Sequence, residues 1–122
     1  MGSGFNKVED VVRLAKFAIV GVSRASKLIS ERTGKTTPQA EAFARASLAK
    51  LRDEDFVERL VLQAIPPQKP QNADVYRFRD RAGDWYVKFF VENGRIIIVS
   101  FHEPEHQLIT RVEAQARARR NS

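Results

Sequence analysis

Five side chains in the second half of the sequence, Arg77, Arg79, Tyr86, Lys88 and His102, are of the types that move protons and hold anions. Imidazole titrates near neutrality, so histidine serves as base or acid under ordinary conditions. Guanidinium and ammonium groups stabilise charge that develops on a phosphoryl group. RNA carries its own nucleophile, the 2′-hydroxyl beside each phosphodiester. Its cleavage therefore needs a base for that hydroxyl, a cation for the phosphorane and an acid for the 5′-oxygen. We assign proton transfer to His102 and donation or orientation to Tyr86. Lys88 and Arg77 would meet the extra negative charge, and Arg79 would hold a neighbouring phosphate. No cofactor is expected. Each residue also has a plainer reading: a surface histidine at a strand end, a packing tyrosine, solvated cations on an open sheet face.

The elements that must position them alternate with a period of two. From Asp74, Tyr76 and Phe78 alternate with Val75, Arg77 and Arg79. Trp85, Val87, Phe89 and Val91 alternate with Tyr86, Lys88 and Phe90, and Ile97, Val99 and Phe101 with Ile96, Ile98, Ser100 and His102. This predicts a three-stranded antiparallel β-meander. Asn93-Gly94 suits a two-residue type I′ turn pairing Glu92 with Arg95. A three-residue loop with a bulge at Gly94, pairing Val91 with Arg95, instead gathers Trp85, Val87, Phe89, Ile97, Val99 and Phe101 on one face. We choose the second register because a buried face penalises a slip. For the first hairpin the same logic pairs Phe78 with Val87 and Tyr76 with Phe89. Arg77 then lies opposite Lys88, a like-charge pair that a bound phosphate would relieve.

Upstream, the spacing predicts four N-terminal helices packed on that sheet. Asn6 with Glu9 reads as a capping box before Val8, Val11, Val12, Ala15, Ala18 and Ile19, with Gly21 at the end. Ser23 opens a second helix that Gly34 closes. Thr37-Pro38 opens a third along Ala40, Ala44, Leu48 and Leu51. Asp55 and Glu58 cap a fourth containing Phe56, Val57, Leu60, Val61 and Ile65, which Pro66-Pro67 ends. The stretch from Pro66 to Asn72 connects helices to sheet and is too short to divide domains. A basic tail, helical along Leu108, Ile109, Val112 and Ala116, exposes Arg111, Arg117, Arg119 and Arg120.

A chain of 122 residues accommodates one domain with one core, so residues 1–122 are read as a single α+β domain. Within it residues 1–5 are set apart as a tag remnant and 103–122 as a basic extension. The absence of cysteine excludes disulfides, thiolate zinc sites and cysteine nucleophiles. The net charge of +6 points to an acidic partner such as nucleic acid. No apolar run reaches the roughly 18–20 residues of a membrane span, and no secretory signal pattern opens the chain, so a cytoplasmic protein without membrane contact is expected.

At its strands the sequence resembles the motility quorum-sensing regulator (MqsR) toxins, relatives in fold of the RelE-type ribonucleases. The matching pieces are Leu51 with Asp55-Phe56, Asp74-Val75-Tyr76-Arg77 with Arg79, then Gly83, Tyr86 and Lys88, and Ile98-Val99-Ser100-Phe101. Order and spacing agree from about Val12 to Phe101, with one extra residue in the last hairpin. The resemblance implies a metal-independent endoribonuclease that cuts mRNA and is neutralised by a cognate antitoxin. It carries the family's strand tyrosine to Tyr86. His102 stands where the family has a lysine, Glu58 where it has another, and Ala73 where it has a glutamine. A catalytically inactive module that grips RNA or an antitoxin through the same face is the alternative reading. A toxin passed between cells and bound by an immunity protein is a further one.

His102-Glu103-Pro104-Glu105-His106 matches the H-E-x-x-H pattern of zinc proteases. That pattern needs both histidines on one continuous helix, whereas here it follows a strand and contains Pro104. We therefore expect no metal site there.

Overall fold

A computed structural model describes residues 4–21, 24–63 and 69–120. The first helix, α1, spans Val8–Leu14 and tightens into a 3₁₀ turn over Ala15–Phe17, burying Val11 and Ala15. The expected Asn6 cap does not form. Lys7 is the N-cap, and Asn6 turns away to bond the buried carboxylate of Asp74 through its backbone N (3.0 Å) and Nδ2 (3.2 Å). Helix α2, Ala25–Thr33, ends on left-handed Gly34 as its sequence requires. Its expected start at Ser23 lies outside the described residues. Helix α3, Thr37–Leu48, is capped one residue earlier than expected, by Thr36. Thr36 and Gln39 satisfy each other's backbone N–H groups, and Pro38 sits in the first turn.

The expected fourth N-terminal helix is a strand, so the arrangement of four N-terminal helices on a three-stranded sheet is corrected here. Phe56–Leu62 forms β1, which pairs antiparallel with β2, Gln71–Asp80. The apolar spacing of Phe56, Val57, Leu60 and Val61 fits either structure. Tertiary pairing decides between them: β1 supplies the N–H and C=O partners that the long outer flank of β2 would otherwise lack. The supposed capping residue Asp55 closes a 3₁₀ turn over Asp53–Asp55 instead. Strands β3, Gly83–Glu92, and β4, Arg95–His102, complete a four-stranded antiparallel sheet in the order β1-β2-β3-β4. The fourth helix, α4, lies after the sheet at Arg111–Arg120.

Helices α1 to α3 cover one face of the sheet, where Tyr76, Phe78, Trp85, Val87, Phe89, Ile96, Ile98 and Phe101 form the core with Ile29, Ala44 and Leu48. Each large side chain removed from water there contributes on the order of 2–3 kcal/mol. Beyond β4 the chain from Ala18 to Val20 runs alongside it. Ile19 donates its N–H to Ile96 (2.8 Å) and accepts from Ile98 (3.0 Å), closing that edge. Among the described residues no helix is long and apolar enough to cross a membrane.

Both hairpin registers differ from expectation. Glu92 pairs with Arg95, and Asn93 (φ 53°) and Gly94 (φ 72°) form the two-residue turn that the sequence reading had set aside. The extra residue sits further on. Phe89 pairs with Ile98 but Lys88 with Ser100, so Val99 is the bulge. A bulge reverses which side the following residues face. Ile96 and Ile98 therefore enter the core ahead of it and Phe101 after it, while Ile97 and Val99 stay half-buried.

In the first hairpin Asp80 pairs with Gly83, Phe78 with Trp85 and Tyr76 with Val87. Several bonds hold that tight turn. Asp80 Oδ1 accepts from the Ala82 N–H (3.0 Å) and from Trp85 Nε1 (3.0 Å). Arg32 of α2 lies 4.3 Å over the Trp85 ring and donates to the carbonyls of Ala82 and Asp84 (2.7 Å each). Gly83, at φ 117°, also leaves the room that this guanidinium occupies.

Candidate active site on the outer face of the sheet

The sheet face turned away from α1 to α3 carries Glu58, Val75, Arg77, Arg79, Tyr86, Lys88, Ser100 and His102. The bulge at Val99 makes its centre. It sets His102 opposite Tyr86 and Ser100 opposite Lys88, whereas the expected pairing of Val91 with Arg95 puts Ser100 opposite Tyr86 and His102 one diagonal step away. The Tyr86 and His102 rings stack with centroids 5.1 Å apart and planes 15° apart. Lys88 extends its ammonium over the same tyrosine, 5.9 Å from the ring centroid.

Three of the five expected site residues, Tyr86, Lys88 and His102, thus come together. With Ser100 they line a pocket of about 300 Å³ whose remaining wall is Glu105, His106 and Leu108 from the segment after β4. His102 Nδ1 lies 2.8 Å from the carbonyl oxygen of Glu103. A carbonyl only accepts, so this contact requires the proton on Nδ1 and leaves Nε2 as the basic nitrogen of the neutral ring. Burial, and secondarily the carboxylate of Glu58, push the Tyr86 phenol above its ordinary value. The phenol is therefore a hydrogen-bond donor at neutral pH.

The two arginines are differently placed. Arg77 lies opposite Tyr86 and not opposite Lys88, so the expected like-charge pair does not form. Its guanidinium is mostly buried. It grips the Glu113 carboxylate of α4 through two bonds (2.8 and 2.9 Å) and also donates to the Leu108 carbonyl (3.1 Å). Arg79 pairs with Asp84 across the strand, Nε to Oδ1 at 2.6 Å, with its side chain largely in solvent. Asp84 is held below the usual carboxylate range chiefly by that hydrogen bond.

Glu113 was not singled out in the sequence, yet it has a legible signal. Thr110-x-x-Glu113 is a capping box: Thr110 Oγ1 accepts from the Glu113 N–H (3.3 Å) and Glu113 Oε1 from the Thr110 N–H (3.2 Å). That motif starts α4 at Arg111, later than the Leu108 to Ala116 stripe suggested. In the sequence His106 stands out only through the H-E-x-x-H match. Residues 103–110 form no helix, so the geometry a zinc protease needs is missing. No group of three or more His, Asp or Glu among the described residues is arranged to hold a metal ion.

No family model matches the sequence, and a search of curated proteins finds no match.

Proposed function

We propose that this chain is a metal-independent endoribonuclease of the MqsR-like bacterial toxin type, acting in the cytoplasm on mRNA and held in check by a cognate antitoxin. One observation carries the reading: Tyr86 and His102 stack 5.1 Å apart beside Lys88 in a single pocket on the outer face of the sheet. The basic nitrogen of His102 takes the proton of a 2′-hydroxyl, and that oxygen attacks the adjacent phosphorus. Lys88 stabilises the phosphorane. Tyr86 donates a hydrogen bond and keeps the imidazole oriented. The resemblance of the strand residues to those of MqsR toxins supports the same assignment of Tyr86. The net charge of +6 suits a polyanionic substrate.

The purified chain is expected to cut RNA in the presence of EDTA and to leave 2′,3′-cyclic phosphate ends. His102→Ala should abolish cutting, and Tyr86→Phe should slow it by about 10- to 100-fold. Expression of the parent should arrest bacterial growth, and expression of His102→Ala should not. A parent chain that binds RNA in a filter assay without cutting it would instead favour the alternative, a catalytically inactive RNA- or antitoxin-binding module. Glu58 on the same face, acidic where the family has a lysine, is the feature that favours that alternative.

A further inference from the structure

Resting on the ribonuclease reading, we infer that His106 is the acid of the same reaction, so that the segment after β4 completes the active site as well as covering it. In-line displacement at phosphorus puts the attacking 2′-oxygen and the leaving 5′-oxygen on opposite sides of the phosphoryl group. One side chain cannot reach both in a single passage, so the reaction calls for a base on one side and a proton donor on the other.

His102 is placed as the base: its Nδ1–H is bound to the Glu103 carbonyl, so in the neutral ring Nε2 is the nitrogen able to accept a proton. Tyr86 lies face to face with that imidazole and therefore sits on the base's side of the pocket. Lys88, alongside Tyr86, belongs to the same strand floor. His106 enters the pocket from a separate element, the wall formed by residues 105–108, and its side chain is exposed to solvent. The groups around it are Tyr86 and Lys88 of β3, His102 of β4, and Glu103 and Glu105 of its own segment. Arg32 of α2 and Asp84 of β3 line the adjoining cleft.

In this step the 2′-hydroxyl proton passes to His102 Nε2 as the 2′-oxygen–phosphorus bond forms. The phosphorus–5′-oxygen bond breaks, and the His106 imidazolium delivers its proton to the departing oxygen. The products are a 2′,3′-cyclic phosphate and a 5′-hydroxyl. The segment bearing His106 is held to the sheet by Arg77, which bonds both the Leu108 carbonyl and Glu113.

The test compares the full chain, His102→Gln and His106→Gln on two short RNAs. One has the natural linkage, and the other has sulfur in place of the scissile 5′-oxygen. A thiolate leaves without a proton, so the sulfur substrate bypasses an acid but not a base. His106→Gln should cut the natural RNA about 100-fold or more slowly and approach the parent rate on the sulfur RNA. His102→Gln should remain slow on both. His106→Gln should also lose the alkaline limb of the rate–pH profile, which reports the need for a protonated acid. Natural RNA cut at the parent rate by His106→Gln, or an equal deficit on both substrates, would overturn the assignment of His106 while leaving the role of His102 intact. A parent chain that cuts neither RNA would overturn the ribonuclease reading, and this inference with it.

Discussion

Arg77 and Glu113, 36 residues apart in the chain, join β2 to α4 through paired hydrogen bonds of 2.8 and 2.9 Å. The guanidinium that faces the pocket side of the sheet is thus neutralised by the chain's own C-terminal helix. The Arg77 hydrogen bond is the largest cause holding the Glu113 carboxyl down, at about 2. A carboxyl depressed in the folded state adds stability above its ordinary range and loses it as pH falls toward the folded value. The anchoring of α4 should therefore be complete at neutral pH and fail progressively in acid below about pH 4. Hydrogen exchange of residues 111–120 reads this directly. Glu113→Gln should reproduce the acid behaviour at pH 7, raising exchange in α4 about tenfold while the strands keep their protection.

Tyr86 titrates under the influence of burial first and of Glu58 second. Glu58→Gln removes the carboxylate but not the burial. The phenol should then titrate lower than in the parent and still above the value of free tyrosine, as followed by its ultraviolet absorbance. A titration unmoved by the substitution would show that the two groups do not interact. If the proposed ribonuclease activity is present, the same variant should raise it, because one negative charge leaves the face proposed to meet RNA.

The site's alignment depends on where the extra residue of the last hairpin lies. Deleting Val99 removes the bulge yet preserves each β3–β4 pair, including Tyr86 with His102 and Lys88 with Ser100. The shortened chain should fold and keep its stacked rings. Deleting Asn93 instead destroys a turn that uses positive φ at two successive residues, and it should cost more than 2 kcal/mol in urea denaturation. Cross-strand nuclear Overhauser contacts between residues 86 and 102 distinguish the two outcomes.

Asp74 is fully buried and accepts the N–H groups of Phe5 (2.7 Å) and Asn6 (3.0 Å), tying the N-terminal segment to β2. A Cβ on Gly4 would meet that carboxylate at 2.7 Å. Asp74→Ala should cost about 1–3 kcal/mol, since it removes the acceptor of three partly buried donors, the N–H groups of Phe5 and Asn6 and the Asn6 side-chain amide. Gly4→Ala should also destabilise, by about 1 kcal/mol or more through displacement of the carboxylate. Urea midpoints measure both. Phe5 is thus tied to β2 through Asp74, within the stretch 1–5 that in sequence reads as a tag remnant.

Much of the fold could be read from local pattern. The first three helical stretches with their Gly34 stop and the three strands of alternating apolar residues follow from spacing and backbone preference, whereas the two-residue turn at Asn93-Gly94 is the register that the apolar pattern argued against. The pattern failed at Phe56–Leu62, where seven residues suit helix and strand equally. It failed again in β4, where an apolar residue stands at nearly every position and alternation cannot say which ones face the core.

Sequence alone determined that Tyr86 and Lys88 share a side of the sheet, because residues two apart on a strand must. It also determined that cations and an imidazole lie close along the chain to that pair. Only the tertiary structure decided which of them come together. The bulge at Val99 brings His102 onto Tyr86, and its position answers to packing of Ile96, Ile98 and Phe101 against the helices. Arg77 finds Glu113, and His106 reaches the pocket, because residues 103–120 fold back over the sheet. Such contacts join groups far apart in sequence, and no local periodicity encodes them.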